Sequence, residues 1–277
     1  MLNIHEFIHN LDAYYKQVEK LAEKNSGQLI GFWGQPDQKT MDIFRAQGCS
    51  FIDVDVYLGA VDSDMTPKIC CHIVKDIYDN IYHLKNKVAL YIGTTGPDKC
   101  DQGRNVRDIL LAEGIPVIDA SNFNTCPIRP LLISTAKGPL KERVARITRL
   151  TFEPLTEEER KFYEENQCEP RFNFHGVPPR DLDLLDNFPE DTHIQGWTRL
   201  VELGVPGMVE WEWKIENSAP TVFFTQSFCN KEVMARYLAK KHGGLYIDCH
   251  NDITGSAEAK LQAFIRLNDR RAGNANL

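Results

Sequence analysis

Ile4, Ile8, Leu11, Tyr15, Val18 and Ala22 recur at three- and four-residue steps, a spacing that predicts an amphipathic lead-in helix over 1–25 docked on the rest of the chain. Beyond it the pattern alternates. Short apolar runs at 28–33, 51–56, 87–92 and 115–119 predict strands, and helical periodicity at 37–47, 67–84 and 105–112 predicts the helices between them. Strands this short, separated by helices, imply a mostly parallel sheet with helices on both faces. The same grammar returns near the end, with strands expected at 221–225 and 245–248 and helices at 231–241 and 256–267. Between the two blocks, Pro154, Pro170, Pro178, Pro179 and Pro189 break the periodicity. Thr156 with Glu159 has capping-box spacing and predicts a short helix beginning at Glu157. Glu210, Trp211, Glu212, Trp213 and Lys214 alternate as a strand would. The expected fold is Rossmann-like α/β: the lead-in helix 1–25, an α/β block over 26–152, an irregular insertion or lid over 153–200, and 201–277 completing the same sheet.

Charge sharpens this division. Residues 153–196 hold twelve acidic against four basic side chains, whereas the 277-residue chain carries −7 overall. Such a stretch reads either as a solvated insertion or as a wall beside a substrate. The adjacent basic run of Lys137, Lys141, Arg143, Arg146 and Arg149 reads as a solvated helix face or as its internal ion-pair partner. An acidic chain argues against nucleic acid as main partner, because phosphate binding draws on clustered Lys and Arg. No apolar run is long enough to span a bilayer, and residues 1–25 lack a signal-peptide pattern. A cytoplasmic location, no membrane partner, a small-molecule substrate and a possible homodimer are the expectations. Eight cysteines then read as reduced thiols, and without C-x-x-C or H-E-x-x-H no metal site is expected.

A strand, a turn and an acid about twenty residues on occur three times. Gly31-Phe32-Trp33-Gly34 is answered by Asp53 and Asp55, Gly93-Thr94-Thr95-Gly96 by Asp119, and Thr225-Gln226-Ser227 by Asp248. That separation lets an acid on the second strand of a βαβ unit reach the ribose hydroxyls of a bound nucleoside. The turns lack the full glycine set by which a pyrophosphate approaches the backbone, whereas S-adenosylmethionine has no phosphate to accommodate. The occupied turn is expected at Gly93, Thr94, Thr95 and Gly96, with Asp98 capping the next helix, Asp119 on the ribose, and Thr225, Gln226, Ser227 and Asp248 across the same crevice. Lys99 and Arg104 keep a phosphate-bearing NAD(P) open as the alternative. A purely structural reading also stands, in which the glycines allow a tight strand-to-helix turn.

Phe51-Ile52-Asp53-Val54-Asp55-Val56 places two carboxylates on one strand face and resembles the hydrophobic D-x-D stretch of nucleotide-sugar glycosyltransferases, which would imply a metal bridged to a diphosphate. His175, among Phe172, Phe174 and the prolines at 178 and 179, is the candidate base, with an acid of the 153–200 insertion as the alternative. Trp33 and Trp197, with Asp53 and Asp55, are candidate substrate contacts. In its turn-and-acid arrangement the chain is similar to atypical Rossmann-like S-adenosylmethionine-dependent methyltransferases. That similarity implies methyl transfer to a small planar hydroxylated acceptor. An NAD(P)-dependent oxidoreductase, a metal-dependent glycosyltransferase and a non-catalytic metabolite-binding protein are the competing expectations.

Overall fold

The computed structural model describes residues 10–56, 58, 70–84, 86–96, 100–249 and 255–274, with the side chains of the last helix described as far as 269. Two compact units divide the chain, Met1–Cys126 and Pro127–Leu277. The first runs α1 (Leu11–Lys24), β1 (Leu29–Trp33), α2 (Gln38–Ala46), β2 (Ser50–Asp53), α3 (His72–Leu84), β3 (Leu90–Thr94), α4 (Asp101–Ala112) and β4 (Val117–Ala120). Its four strands are parallel in the order β2-β1-β3-β4. Strand alternation decides what each face meets. Trp33 and Tyr91 pack with Ile77 and Ile81 of α3 and with Val106 and Leu110 of α4. The opposite face carries Phe32, whose ring meets Phe51 edge-on, and Arg45 of α2 lies over Phe51. In α1, Tyr14, Val18 and Ala22 are buried at four-residue spacing, as its amphipathic pattern requires.

The second unit runs α5 (Leu140–Arg149), α6 (Glu157–Glu165), β5 (Phe172–Gly176), a 3₁₀ turn (Leu182–Asn187), β6 (Thr192–Gln195), α7 (Trp197–Leu203), α8 (Val209–Glu212), β7 (Thr221–Gln226), α9 (Glu232–His242), β8 (Leu245–Cys249) and α10 (Gly255–Asn274). Here too the strands are parallel, ordered β6-β5-β7-β8. Phe172, Phe174, Phe224 and Ile194 face α5 and α10 through Val144, Ile147, Leu261 and Ile265. Each fully buried phenylalanine in that layer contributes about 1.5–3 kcal/mol. Phe223, pointing the other way, packs under Ala235, Leu238 and Ala239 of α9.

The α/β class with parallel sheets matches the sequence expectation, but the single continuous sheet does not. Residues 221–249 join β5 and β6, which lie inside the stretch expected to be an irregular insertion. The reason is compositional. β5 and β6 alternate Phe172, Phe174 and Ile194 with buried polar Asn173, His175, His193 and Gln195, so between acids and prolines they do not read as apolar strands. The strand expected through 56 ends at Asp53, because the Asp53 side chain accepts the Asp55 N–H and Asn80 Nδ2 donates to the carbonyls of Val54 and Val56. The segment expected as a strand around Trp211 is the one-turn helix α8, with Trp213 just after it. The capping box holds: Thr156 Oγ1 accepts from Glu159 N–H while Glu159 accepts from Thr156 N–H. Among the described residues no helix is long and apolar enough to cross a membrane.

Candidate functional site

In open α/β sheets ligands bind beyond the carboxyl ends of the strands, where the chain order reverses. In the first unit that point lies between β1 and β3. Trp33 is paired in register with Gly93, and its indole lies across that glycine: a Cβ there would sit 2.2 Å from Trp33 Cζ2. Gly34 follows with φ +74, its N–H donating to Asp55 Oδ2 at 2.5 Å. Asp53 Oδ1 accepts the Asp55 N–H at 2.9 Å. Burial and the neighbouring Asp55 charge push the Asp53 carboxyl well above the usual carboxylate range. The indole Nε1 of Trp33 and the hydroxyl of Thr94 are both buried at this edge without a hydrogen-bond partner.

The expected cosubstrate turn is more closed. Thr95 Oγ1 donates to Asp119 Oδ1 at 2.8 Å, its N–H donates to Ala120 O at 3.0 Å, and the Arg107 guanidinium pairs with Asp119 at 3.3 Å. Asp119 is only 2% exposed, so the acid expected on the ribose is turned into the protein. Gly96 O accepts from Arg104 Nη2 at 3.2 Å. Asp98 and Lys99 lie outside the described residues. Of the three acids the sequence places on this unit, Asp55 keeps the most exposure.

A residue the sequence reading passed over governs the first turn. Asp37 caps α2, Oδ1 accepting from Thr40 N–H at 3.0 Å and from the Tyr15 hydroxyl at 3.0 Å, Oδ2 from Thr40 Oγ1 at 2.6 Å. Burial raises its carboxyl above the ordinary value although these hydrogen bonds oppose it. The signal was present, since an aspartate just before a helical run is a favoured N-cap. Beside it a surface groove of about 580 Å³, lined by Tyr15, Lys39, Asp42, Ile43 and Asn124 among others, contains none of the expected site residues.

The remaining candidates belong to the second unit. His175, next to last in β5 and 1% exposed, has its Nε2–H donating to Glu212 O at 2.7 Å. Burial holds its imidazole down at about 4, so at neutral pH it is uncharged and fixed in one tautomer. Thr225 shares a hydrogen bond with the Tyr246 hydroxyl at 3.1 Å, Ser227 N–H donates to Cys249 O at 2.9 Å, Gln226 is buried and Asp248 is exposed. Trp197 opens α7 against the hydrophobic core of this unit. These residues sit on a sheet of their own, so the expected sharing of one sheet crevice with the 93–96 turn does not hold. Gln195, 1% exposed, has both amide atoms without a partner.

Other strong features are structural. Glu202 Oε1 accepts from the N–H groups of Leu132 and Ile133, and Oε2 from that of Ser134, which pins the 132–134 segment to α7. Arg143, 2% exposed, donates to four backbone carbonyls, and Arg146 pairs with Glu159 at 2.7 Å. The ion-pair reading of the basic run thus holds for Arg146. Among the described residues no group of three or more His, Cys, Asp or Glu is arranged to hold a metal ion. The chain matches no known protein-family model, and comparison with curated proteins finds no match.

Proposed function

We propose that the chain binds S-adenosylmethionine at the carboxyl edge of its first sheet and transfers the methyl group to a small planar hydroxylated acceptor. The observation that carries this reading is the occupant of the α2 N-terminus. A pyrophosphate bound after β1 would use the free N–H groups and positive end of that helix. Here the Asp37 carboxylate fills the position, and Asp55, just beyond the end of β2, adds a further acid to the same edge. A cosubstrate with a ribose diol, a cationic sulfonium and no phosphate suits such an edge.

In this reading Asp55 accepts from the ribose hydroxyls. Asp53, whose burial and neighbouring Asp55 raise its affinity for a proton, takes the acceptor's proton. Most of the rate enhancement then comes from aligning the sulfonium methyl with the acceptor oxygen. An NAD(P)-dependent oxidoreductase is the second reading, favoured by one observation: α4 begins without a side-chain cap, close to Arg104. Asp55→Ala should weaken S-adenosylhomocysteine binding by at least about tenfold, the cost of one charged hydrogen bond. Asp248→Ala, on the second sheet, should leave it unchanged. If Asp248→Ala alone weakens binding, the site belongs to the second unit.

A further inference from the structure

Two exposed surfaces of the second unit complement each other in charge. On α9, Val233, Tyr237 and Lys241 follow at four-residue steps along one face, and Lys240 lies beside them. Val233 is 79% exposed and Tyr237 53%, large values for apolar and aromatic side chains on one stripe. Trp213, also exposed, stands 6.0 Å from the Tyr237 ring, and Lys241 Nζ lies 5.9 Å from that ring. Lys214, Lys240 and Lys241 meet no carboxylate among the described residues, so the surface is aromatic at its centre and positive at its rim.

α6 has the opposite character. None of its residues is buried, five of its nine residues are glutamates, and Phe162 stands exposed in their midst. Glu158, Phe162 and Glu165 fall at steps of four and three, on one face. A helix this polar is held by its capping box, the Arg146–Glu159 pair and Tyr163, which packs against the core. The Phe162 ring meets that of Tyr163 edge-on at 5.4 Å, yet Phe162 keeps 54% of its surface exposed.

We propose that α6 of one copy of this chain docks on the α9 surface of a second copy, Phe162 packing against Tyr237 and Val233 while Glu158 and Glu165 face Lys240 and Lys241. The two surfaces lie on opposite sides of one sheet, because Tyr163 joins the core under Phe174 and Phe224 whereas α9 covers Phe223. The contact is therefore heterologous, head to tail, and each copy offers both halves. Two short helices bury less than a standard interface, so the association is weak, reversible and salt-sensitive.

Sedimentation velocity of the full chain in low salt, over a concentration series reaching about 1 mM, tests this. The expected result is a mass that rises with concentration and returns to that of a monomer when salt is raised to about 0.5 M. Lys240→Glu with Lys241→Glu should abolish association, and so should Glu158→Lys with Glu165→Lys. All four positions are exposed, and an unchanged circular dichroism spectrum confirms the fold of each variant. Mixing the two charge-reversed chains should restore association that neither shows alone, which a merely less soluble or misfolded variant would not do. A wild-type chain that stays monomeric throughout overturns the proposal. So does association that survives either reversal, and so does a monomer whose α9 lysines instead bind anionic vesicles or an oligonucleotide.

Discussion

Gly93 has no room for a side chain, because the Trp33 indole occupies the place where its Cβ would be. Gly93→Ala is expected to destabilise the first unit by about 1–3 kcal/mol, the usual cost of overpacking, measured by urea denaturation. Unchanged stability would mean that the indole is free to move aside. His175 gives a pH signature. Its folded value near 4 lies below the ordinary 6.5, so between these values the unfolded chain binds the extra proton. The stability this represents, roughly 3 kcal/mol, is whole above pH 6.5 and is lost as the pH falls towards 4. Comparing the wild type with His175→Gln across that window should show a steeper acid loss in the wild type. Equal slopes would contradict a buried neutral imidazole. At this scale residue type is legible in the sequence, whereas the packing around each residue is not. Gly93 and Asp119 read as parts of a cosubstrate turn, yet one accommodates an indole and the other closes on Thr95 and Arg107.

Elements show where local pattern suffices and where it fails. α1, α2 and α6 were legible because apolar spacing and caps lie within one turn of each other in sequence. β5 and β6 were not, because half of their residues are polar side chains buried by partners distant in sequence, such as Asn173 against Asn217 and His175 against Glu212. Tertiary context decides those strands. Two elements invite a test. Asp37→Ala removes the α2 cap and leaves Tyr15 and Thr40 without their acceptor, and is expected to cost about 1–2 kcal/mol by thermal or chemical denaturation. Glu202→Gln turns an amide towards one of the backbone N–H groups the carboxylate serves, and should cost about 2–4 kcal/mol. A loss under 0.5 kcal/mol in either variant, within the range of ordinary surface substitutions, would contradict the hydrogen-bond assignment.

At the scale of the whole molecule the same strand order is used twice: the second strand outermost, then the first, third and fourth. Each unit has its own carboxyl edge and its own core, so the residue 127–277 fragment is expected to fold alone and unfold cooperatively in urea. A fragment without a cooperative transition would contradict that independence. The two edges differ in chemistry. Both leave two buried polar atoms unpartnered, Trp33 Nε1 and Thr94 Oγ1 on the first and the Gln195 amide on the second, but the first gathers acids at its switch point whereas the second closes His175 against a backbone carbonyl. We propose the first edge as the seat of a phosphate-free nucleoside cosubstrate. Calorimetric titration of the purified chain with S-adenosylhomocysteine, with NADH in parallel, tests it without knowledge of the acceptor. The expected result is binding of S-adenosylhomocysteine alone, lost in Asp55→Ala. Binding of NADH alone, or of neither compound, would contradict it.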